Sequence, residues 1–300
     1  MGGCSRVCDM KQFVQFICFS VLLACLVTGC SERVEQGGAG VEAWVTVLPQ
    51  KFFVERVAGG ELAVNVLVRP GQSPETYAPS ASQMARMARA ELYFGVGMPL
   101  EGPLFSKMAQ SMPGVRVLSL REPEQGGHVH HAGCVHGAND PHVWLDPVQM
   151  IEFVEMVREV LTELLPEKAE VFTANAAQLA SELQALDVEI AQRLSAYRGR
   201  AFYINHPSLG HWSERYGLHQ LSIESSGSAP SAKRIAALVA DARIEKVGAI
   251  FTQPEFGQSS ARVLGDALGV ELIEINPLAE DYFANMRSIA ENLERSFTHE

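Results

Sequence analysis

The sequence predicts an α/β protein of two lobes, each a mostly parallel sheet flanked by helices, joined by one long rigid connector helix. Three observations carry this. From Val41 onward, short β-rich runs alternate with helical stretches, the pattern of parallel sheets with covered faces. The alternation breaks at Pro147, where two long helical stretches follow each other. It then resumes at Ala201.

In chain order, Trp44 to Leu48 (WVTVL) reads as a strand and Lys51 to Val57 as a helix. Leu62 to Val68 (LAVNVLV) is a second strand, followed by a Gly/Pro loop and a helix from about Ser80. Leu92 to Val96 and Val115 to Leu118 continue the series. The two long helices cover Pro147 to Leu164 and Pro166 to Tyr197. In the second, Phe172, Ala176, Leu179, Leu183, Leu186, Ile190, Leu194 and Tyr197 recur three or four residues apart. That spacing makes one apolar stripe on a helix of about 30 residues, roughly 45 Å long. Such a helix outreaches one small lobe and suits a spine between two. A coiled-coil arm is the competing reading, and the immediate return of α/β patterning disfavours it. Strands follow at Ala201 to Asn205, His219 to Ile223, Val247 to Thr252 and Glu271 to Ile275, with a last helix from Asp281 to about Phe297. The expected divisions are 42–164, 165–198 and 199–300. No sequence repeat relates the two lobes.

The N-terminal stretch reads as an export signal rather than part of the fold. Residues 12–29 are apolar and follow Arg6 and Lys11, as n-region and h-region do. The run ends in Val27-Thr28-Gly29-Cys30, the cleavage box of bacterial lipoproteins, so residues 1–29 are expected to leave and Cys30 to carry lipid. An uncleaved membrane helix is the alternative, for which the run is short. Arg6 stands where a myristoylation signal needs Ser or Thr. Residues 30–41, polar and Gly-rich, read as a flexible tether. Of the 6 cysteines, four precede Cys30, and Cys134 then stands alone. No intramolecular disulfide is expected, and the core must hold the fold. The formal net charge of −11 argues against nucleic acid and suits the attraction of cations.

Histidine is the informative residue for function. Five of the 9 lie between His128 and His142. His128, His130, His131 and His136 fall in a Gly-rich segment without periodicity, read as a surface loop that binds zinc weakly as an accessory collector. A polar loop with chance histidines would look the same. His142 differs: it sits between two Asp-Pro steps in Asn139-Asp140-Pro141-His142-Val143-Trp144-Leu145-Asp146-Pro147. His206 ends an apolar strand in Phe202-Tyr203-Ile204-Asn205-His206-Pro207, where α/β sheets bind ligands. Either could be a core histidine alone. One in each lobe suggests a site between lobes. Glu224, Gln253 and Glu255 each follow a strand and could support that site from behind; Glu224 could fix the tautomer of a ligand imidazole. His211 and His219 read as structural.

Five segments together resemble the metal-specific solute-binding proteins of bacterial ABC importers, the cluster A-I family for zinc, manganese and iron. They are Gly71-Gln72-Ser73-Pro74-Glu75-Thr76-Tyr77-Ala78-Pro79-Ser80, the Asp-Pro-His-Val-Trp-Leu-Asp-Pro box, Asn205-His206-Pro207 with Glu214-Arg215-Tyr216-Gly217-Leu218, Gln253-Pro254-Glu255-Phe256, and Ile275-Asn276-Pro277-Leu278. The resemblance implies a metal held by four loops, with His142 and His206 at ligand positions. It departs at two places. Glu75 stands where relatives usually carry His, and Asn276 where some carry Asp. His₂Glu is a sound set for Zn²⁺, harder than His₃ and so more open to Mn²⁺ or Fe²⁺. An amide oxygen is a poor zinc ligand, so Asn276 is expected behind the first ring of ligands or outside the site. A solvated loop carboxylate remains the competing reading of Glu75.

The implied function is capture of a divalent transition metal, zinc first, outside the cytoplasmic membrane. Delivery would be to a permease and its ATPase, by a lipid-anchored monomer that performs no covalent chemistry. A zinc hydrolase could use the same ligands, but His-Glu-x-x-His and Gly-x-Ser-x-Gly are absent from the sequence. An adhesin or metallochaperone on the same fold is the third reading.

Overall fold

The computed structural model describes residues 40–123, 140–224 and 230–298. The expected signal peptide, Cys30, most of the tether and the four accessory histidines lie outside the described residues.

Among the described residues, eight strands form two four-stranded sheets. The first holds β1 (Glu42–Val45), β2 (Ala63–Val66), β3 (Leu92–Gly95) and β4 (Arg116–Ser119). The second holds β5 (Ala201–Ile204), β6 (His219–Ser222), β7 (Ala249–Thr252) and β8 (Glu271–Glu274). Strand orders are β2-β1-β3-β4 and β6-β5-β7-β8, and every pairing is parallel. The two sheets therefore share one topology that no sequence repeat betrays. Residues of the central strands β3, β5 and β7 are buried throughout, whereas β2, β4 and β6 are largely half-exposed and β8 is half-exposed to exposed apart from Ile273. Burial on both faces explains why Leu92-Tyr93-Phe94 and Ala249-Ile250-Phe251 read as continuous apolar runs.

Local chemistry starts and stops the helices. α1 (Leu48–Ala58) has Pro49 in its first turn and is followed by Gly59 in the left-handed conformation, the usual asymmetry. The first strand ends earlier than expected, at Val45. Thr46 and Val47 belong to the turn, where both backbone amides donate to Gln50 Oε1 at 3.0 Å. α2 (Ala81–Met87) has Ser80 and Gln83 as a reciprocal capping box. α3 (Glu101–Ser111) follows β3. α4 (Pro147–Leu164) is capped by Asp146, which accepts from Val148 N at 2.9 Å. The expected connector over 165–198 resolves into α5 (Ala169–Leu194) with a 3₁₀ turn at each end. At 26 residues the α-helical part spans about 39 Å, and with its two flanking turns the helical stretch covers Pro166 to Tyr197, as expected. In the second lobe lie α6 (Gly210–Tyr216), α7 (Ala232–Ile244), α8 (Ser259–Leu268) and α9 (Tyr282–Thr298).

The connector does not stand alone. Its stripe from Phe172 to Leu194 is buried and packs on α4, α1 and α9. One core runs without a break from Phe53, Phe94 and Phe153 through Leu179 and Leu186 to Phe202, Phe251 and Tyr282. Separate clusters cover the outer face of each sheet, around Tyr93 and Met108 in one and around Tyr203 and Leu264 in the other. Among the described residues, no helix is long and apolar enough to cross a membrane.

A buried carboxylate shapes the first lobe beside the crevice. Glu101, fully buried, accepts from Val96 N at 3.1 Å, from Gly97 N at 2.8 Å and from the Thr46 hydroxyl. Burial pushes its pKa up to about 6 against these donors.

Candidate metal centre

Glu75, His142 and His206 come together from three loops that leave the C-terminal ends of β2, β4 and β5. That is the crevice position for ligands in open α/β sheets. One ligand atom from each lies within 4.8 Å of the others, and Glu75 Oε1 is 3.1 Å from His206 Nε2. Ligands around a tetrahedral zinc sit about 3.4 Å apart at bond lengths near 2.05 Å. The observed spread brackets that edge, so small side-chain rotations suffice. The His142 and His206 rings meet edge to face with centroids 5.4 Å apart.

His142 is held by its own turn. Asp140 Oδ1 accepts from His142 N at 3.0 Å and is 2.7 Å from His142 Nδ1. A carboxylate only accepts, so Nδ1 carries the proton and the Nε2 lone pair is left for a metal. The ring is buried at 4 % exposure. Burial lowers its pKa, but Asp140, and then Glu75, outweigh that and raise it above its ordinary value.

The segment bearing His142 is also tied to the other lobe. Trp144 Nε1 donates to Pro277 O at 2.8 Å. His211 Nε2 lies 2.7 Å from Asp140 O. A carbonyl only accepts, so Nε2 donates, and Nδ1 then accepts from Gln149 Nε2 at 3.1 Å. His211, read from the sequence as structural, braces the turn that carries His142.

His206 is fixed through its backbone. Its N donates to Gln253 Oε1 at 3.2 Å and its O accepts from Gln253 Nε2 at 2.6 Å. The ring stacks on Phe256, with centroids 4.0 Å apart and planes 11° apart. Glu75 stands on a more open loop, with its side chain 21 % exposed against 3 % for His206. Pro74 is buried beside it, and Gln83 staples the loop by donating to Leu67 O at 3.0 Å and accepting from the Tyr77 hydroxyl at 2.8 Å.

The remaining expected residues fall elsewhere. Glu224 accepts from Asn205 Nδ2 at 3.0 Å, which supports the residue before His206 rather than an imidazole; burial, and the nearby Glu75 charge, raise its pKa. Asn276 is exposed, and its Oδ1 accepts from Leu278 N at 2.9 Å. That oxygen closes the turn after β8. Glu255 is half-buried, with a pKa raised by burial and by Glu274, and has no described contact with the three. Its neighbour Phe256 is the residue that touches His206. Asp140 and Phe256 were missed. An Asp two residues before a candidate ligand His was the available signal for the first; no local signal marked the second.

The family model for the zinc-uptake complex component A, periplasmic, matches residues 44–296. The chain belongs to this family. The zinc-binding lipoprotein AdcA of Streptococcus pneumoniae is 30% identical over 270 residues, 86% of this chain and 54% of the relative. The chain thus spans about half the length of that relative. A putative metal-binding protein of Chlamydia trachomatis is 26% identical over 252 residues, 82% of this chain and 88% of the relative. Among solved structures, the crystal structure of ZnuA matches with a TM-score of 0.78 at 26% identity, covering 86% of this chain and 99% of that one. The Zn(II)-bound ZnuA-like domain of the pneumococcal AdcA matches at 0.70 and 28%, covering 85% and 98%. The two parallel sheets and long helix are thus the fold of the zinc-uptake component.

Proposed function

We propose that the protein captures Zn²⁺ outside the cytoplasmic membrane on Glu75, His142 and His206 and delivers it to an ABC-type permease driven by its ATPase. Lipid on Cys30 holds it at the membrane. The observation that carries this reading is the convergence of two buried imidazoles and one carboxylate within 4.8 Å at the crevice between the sheets. Zinc-bound relatives of the same fold support it.

The geometry suits reversible capture. His142 and His206 form a fixed, nearly dry floor, and Glu75 approaches from an open loop. Two neutral imidazoles and one carboxylate leave a bound Zn²⁺ with a net charge of +1, so affinity comes from ligand bonds rather than full neutralisation. Binding displaces protons from the imidazoles, and it weakens as pH falls through the raised pKa of His142. Glu75, the hard ligand of the set, favours Mn²⁺ or Fe²⁺ as the competing cargo. The test is calorimetry on metal-stripped protein with Zn²⁺ and Mn²⁺. Zinc binding well below about 1 μM is expected. Failure of both metals to bind more tightly than that would overturn the reading.

A further inference from the structure

The second lobe carries a groove distant in role from the three ligands. Among the described residues, β6 is the open edge of its sheet and pairs with β5 alone. His219 N and Ile223 N donate inward, to Arg200 O at 2.9 Å and Ile204 O at 2.9 Å. Strand alternation therefore turns the amides of Gln220 and Ser222 outward. α6 and α7 border this edge, and a groove of about 740 Å³ lies between them and β6. That volume is within the range of sites for small ligands.

The lining chemistry is polarised. On α7 and its C-cap, Arg234, Leu238, Asp241 and Glu245 line the groove at spacings of three or four, hence from one face. Ser213 Oγ, Gln220 Nε2 and Arg234 Nε are buried and have no hydrogen-bond partner among the described residues, and all three residues line the groove. Ser213 is only 4 % exposed. Buried donors without acceptors are rare in native proteins, and these three call for oxygen atoms. Asp241 and Glu245 call for a cation. The α7 dipole has the same sense, positive near Arg234 and negative near Glu245. Burial, and then Asp241, push the Tyr203 hydroxyl up to about 12, with Arg234 and Glu245 also felt there. The charges thus converge on the groove floor.

Seven residues separate Arg234 from Asp241, about 10 Å along a helix. An extended peptide rises about 3.3 Å per residue, so about three residues span the gap. We propose that this groove binds a short peptide of about three residues with both ends free, laid along β6 as an added strand. Its carboxylate and carbonyl oxygens meet Arg234, Ser213 and Gln220, and its ammonium meets Asp241 and Glu245. Main-chain bonds to the β6 edge supply affinity independent of side chains, and Leu221 and Leu238 accept small apolar ones. No ligand of the metal centre takes part, so this binding is separate from zinc capture.

The test is an amide-resolved NMR titration of the isotope-labelled protein with tri-alanine, N-acetyl-tri-alanine and tri-alanine amide. Saturable shifts are expected at Gln220, Ser222 and Leu238, with a dissociation constant of about 1 mM or below. Capping either end should weaken binding by about tenfold or more. Arg234→Gln should weaken tri-alanine comparably while leaving zinc affinity unchanged, which also shows that the variant is folded. Should that variant fail to fold, Asp241→Asn gives the same reading at the ammonium end. The proposal is overturned by no saturable shift up to about 10 mM peptide, by indifference to capping, or by parent-like binding in both variants.

Discussion

Asp140→Ala is expected to weaken zinc binding without touching any ligand atom. Asp140 Oδ1 accepts both His142 Nδ1–H at 2.7 Å and His142 N–H at 3.0 Å, and alanine removes both. Loss of the partner that orients a ligand imidazole typically weakens metal binding about 10- to 100-fold, equivalent to roughly 1.4–2.7 kcal/mol. Asp140→Asn keeps an oxygen for both bonds and removes only the charge, so its loss belongs at the low end, about tenfold. The pH dependence adds an independent sign. In the parent, burial lowers the His142 pKa, but Asp140 and Glu75 raise it overall, so protons compete with zinc from above the ordinary histidine range. Without the Asp140 charge, burial dominates and the ring loses its proton at lower pH. Affinity at neutral pH falls because the ring is no longer oriented, while the acid-induced loss of binding moves to lower pH. Chelator-competition titrations from roughly pH 5.5 to 8 read both effects. Alanine affinity within about twofold of the parent, or an acid limb that does not move, would refute the assigned tautomer and its cause.

Three further outcomes follow from named contacts. Glu75→Ala should weaken zinc binding by about tenfold or more, while Glu75→His should raise the preference for Zn²⁺ over Mn²⁺ by replacing a hard ligand with an imidazole; competition calorimetry measures both. Gln253→Ala removes the clamp on the His206 backbone and should lower stability by about 1–3 kcal/mol, with weaker zinc binding, read by denaturant titration with and without metal. Glu101→Gln places an amide among donors and should destabilise the protein by a similar about 1–3 kcal/mol. The native pKa of Glu101, about 6, is raised from 4.5, so the native state binds the proton more tightly. Its stabilising contribution is full below about pH 4.5 and declines by roughly 2 kcal/mol as pH rises through 6. The stability gap between parent and Glu101→Gln should narrow over that window; a gap that widens contradicts the assignment.

Much of the fold was legible because it rests on local periodicity. The apolar stripe from Phe172 to Leu194 and the runs at β3, β5 and β7 declare their own burial. Boundaries were less legible where a side chain ended an element early, as when Gln50 captured the Thr46 and Val47 amides. The three residues at the crevice could be proposed because each sits in a distinctive loop, and the structure brings them together. What supports them is non-local. Gln253 and Phe256 hold His206 from about 50 residues away in sequence, and Pro277 and His211 brace the His142 segment from the other lobe. Residue type does not encode such pairings; only the folded chain makes them. Asn276 shows the converse, a residue in a suggestive motif whose oxygen closes its own turn.

In the proposed function, Glu75, His142 and His206 together hold one zinc ion. A crystal structure of the zinc-loaded protein, with anomalous differences recorded on both sides of the zinc edge, tests it most directly. One strong peak is expected within about 2.0–2.2 Å of Glu75 Oε1, His142 Nε2 and His206 Nε2, with Asp140 still on His142 Nδ1. A peak held by His128, His130, His131 or His136 and none at the crevice, or a crevice ion that leaves Glu75 unbound, would contradict it.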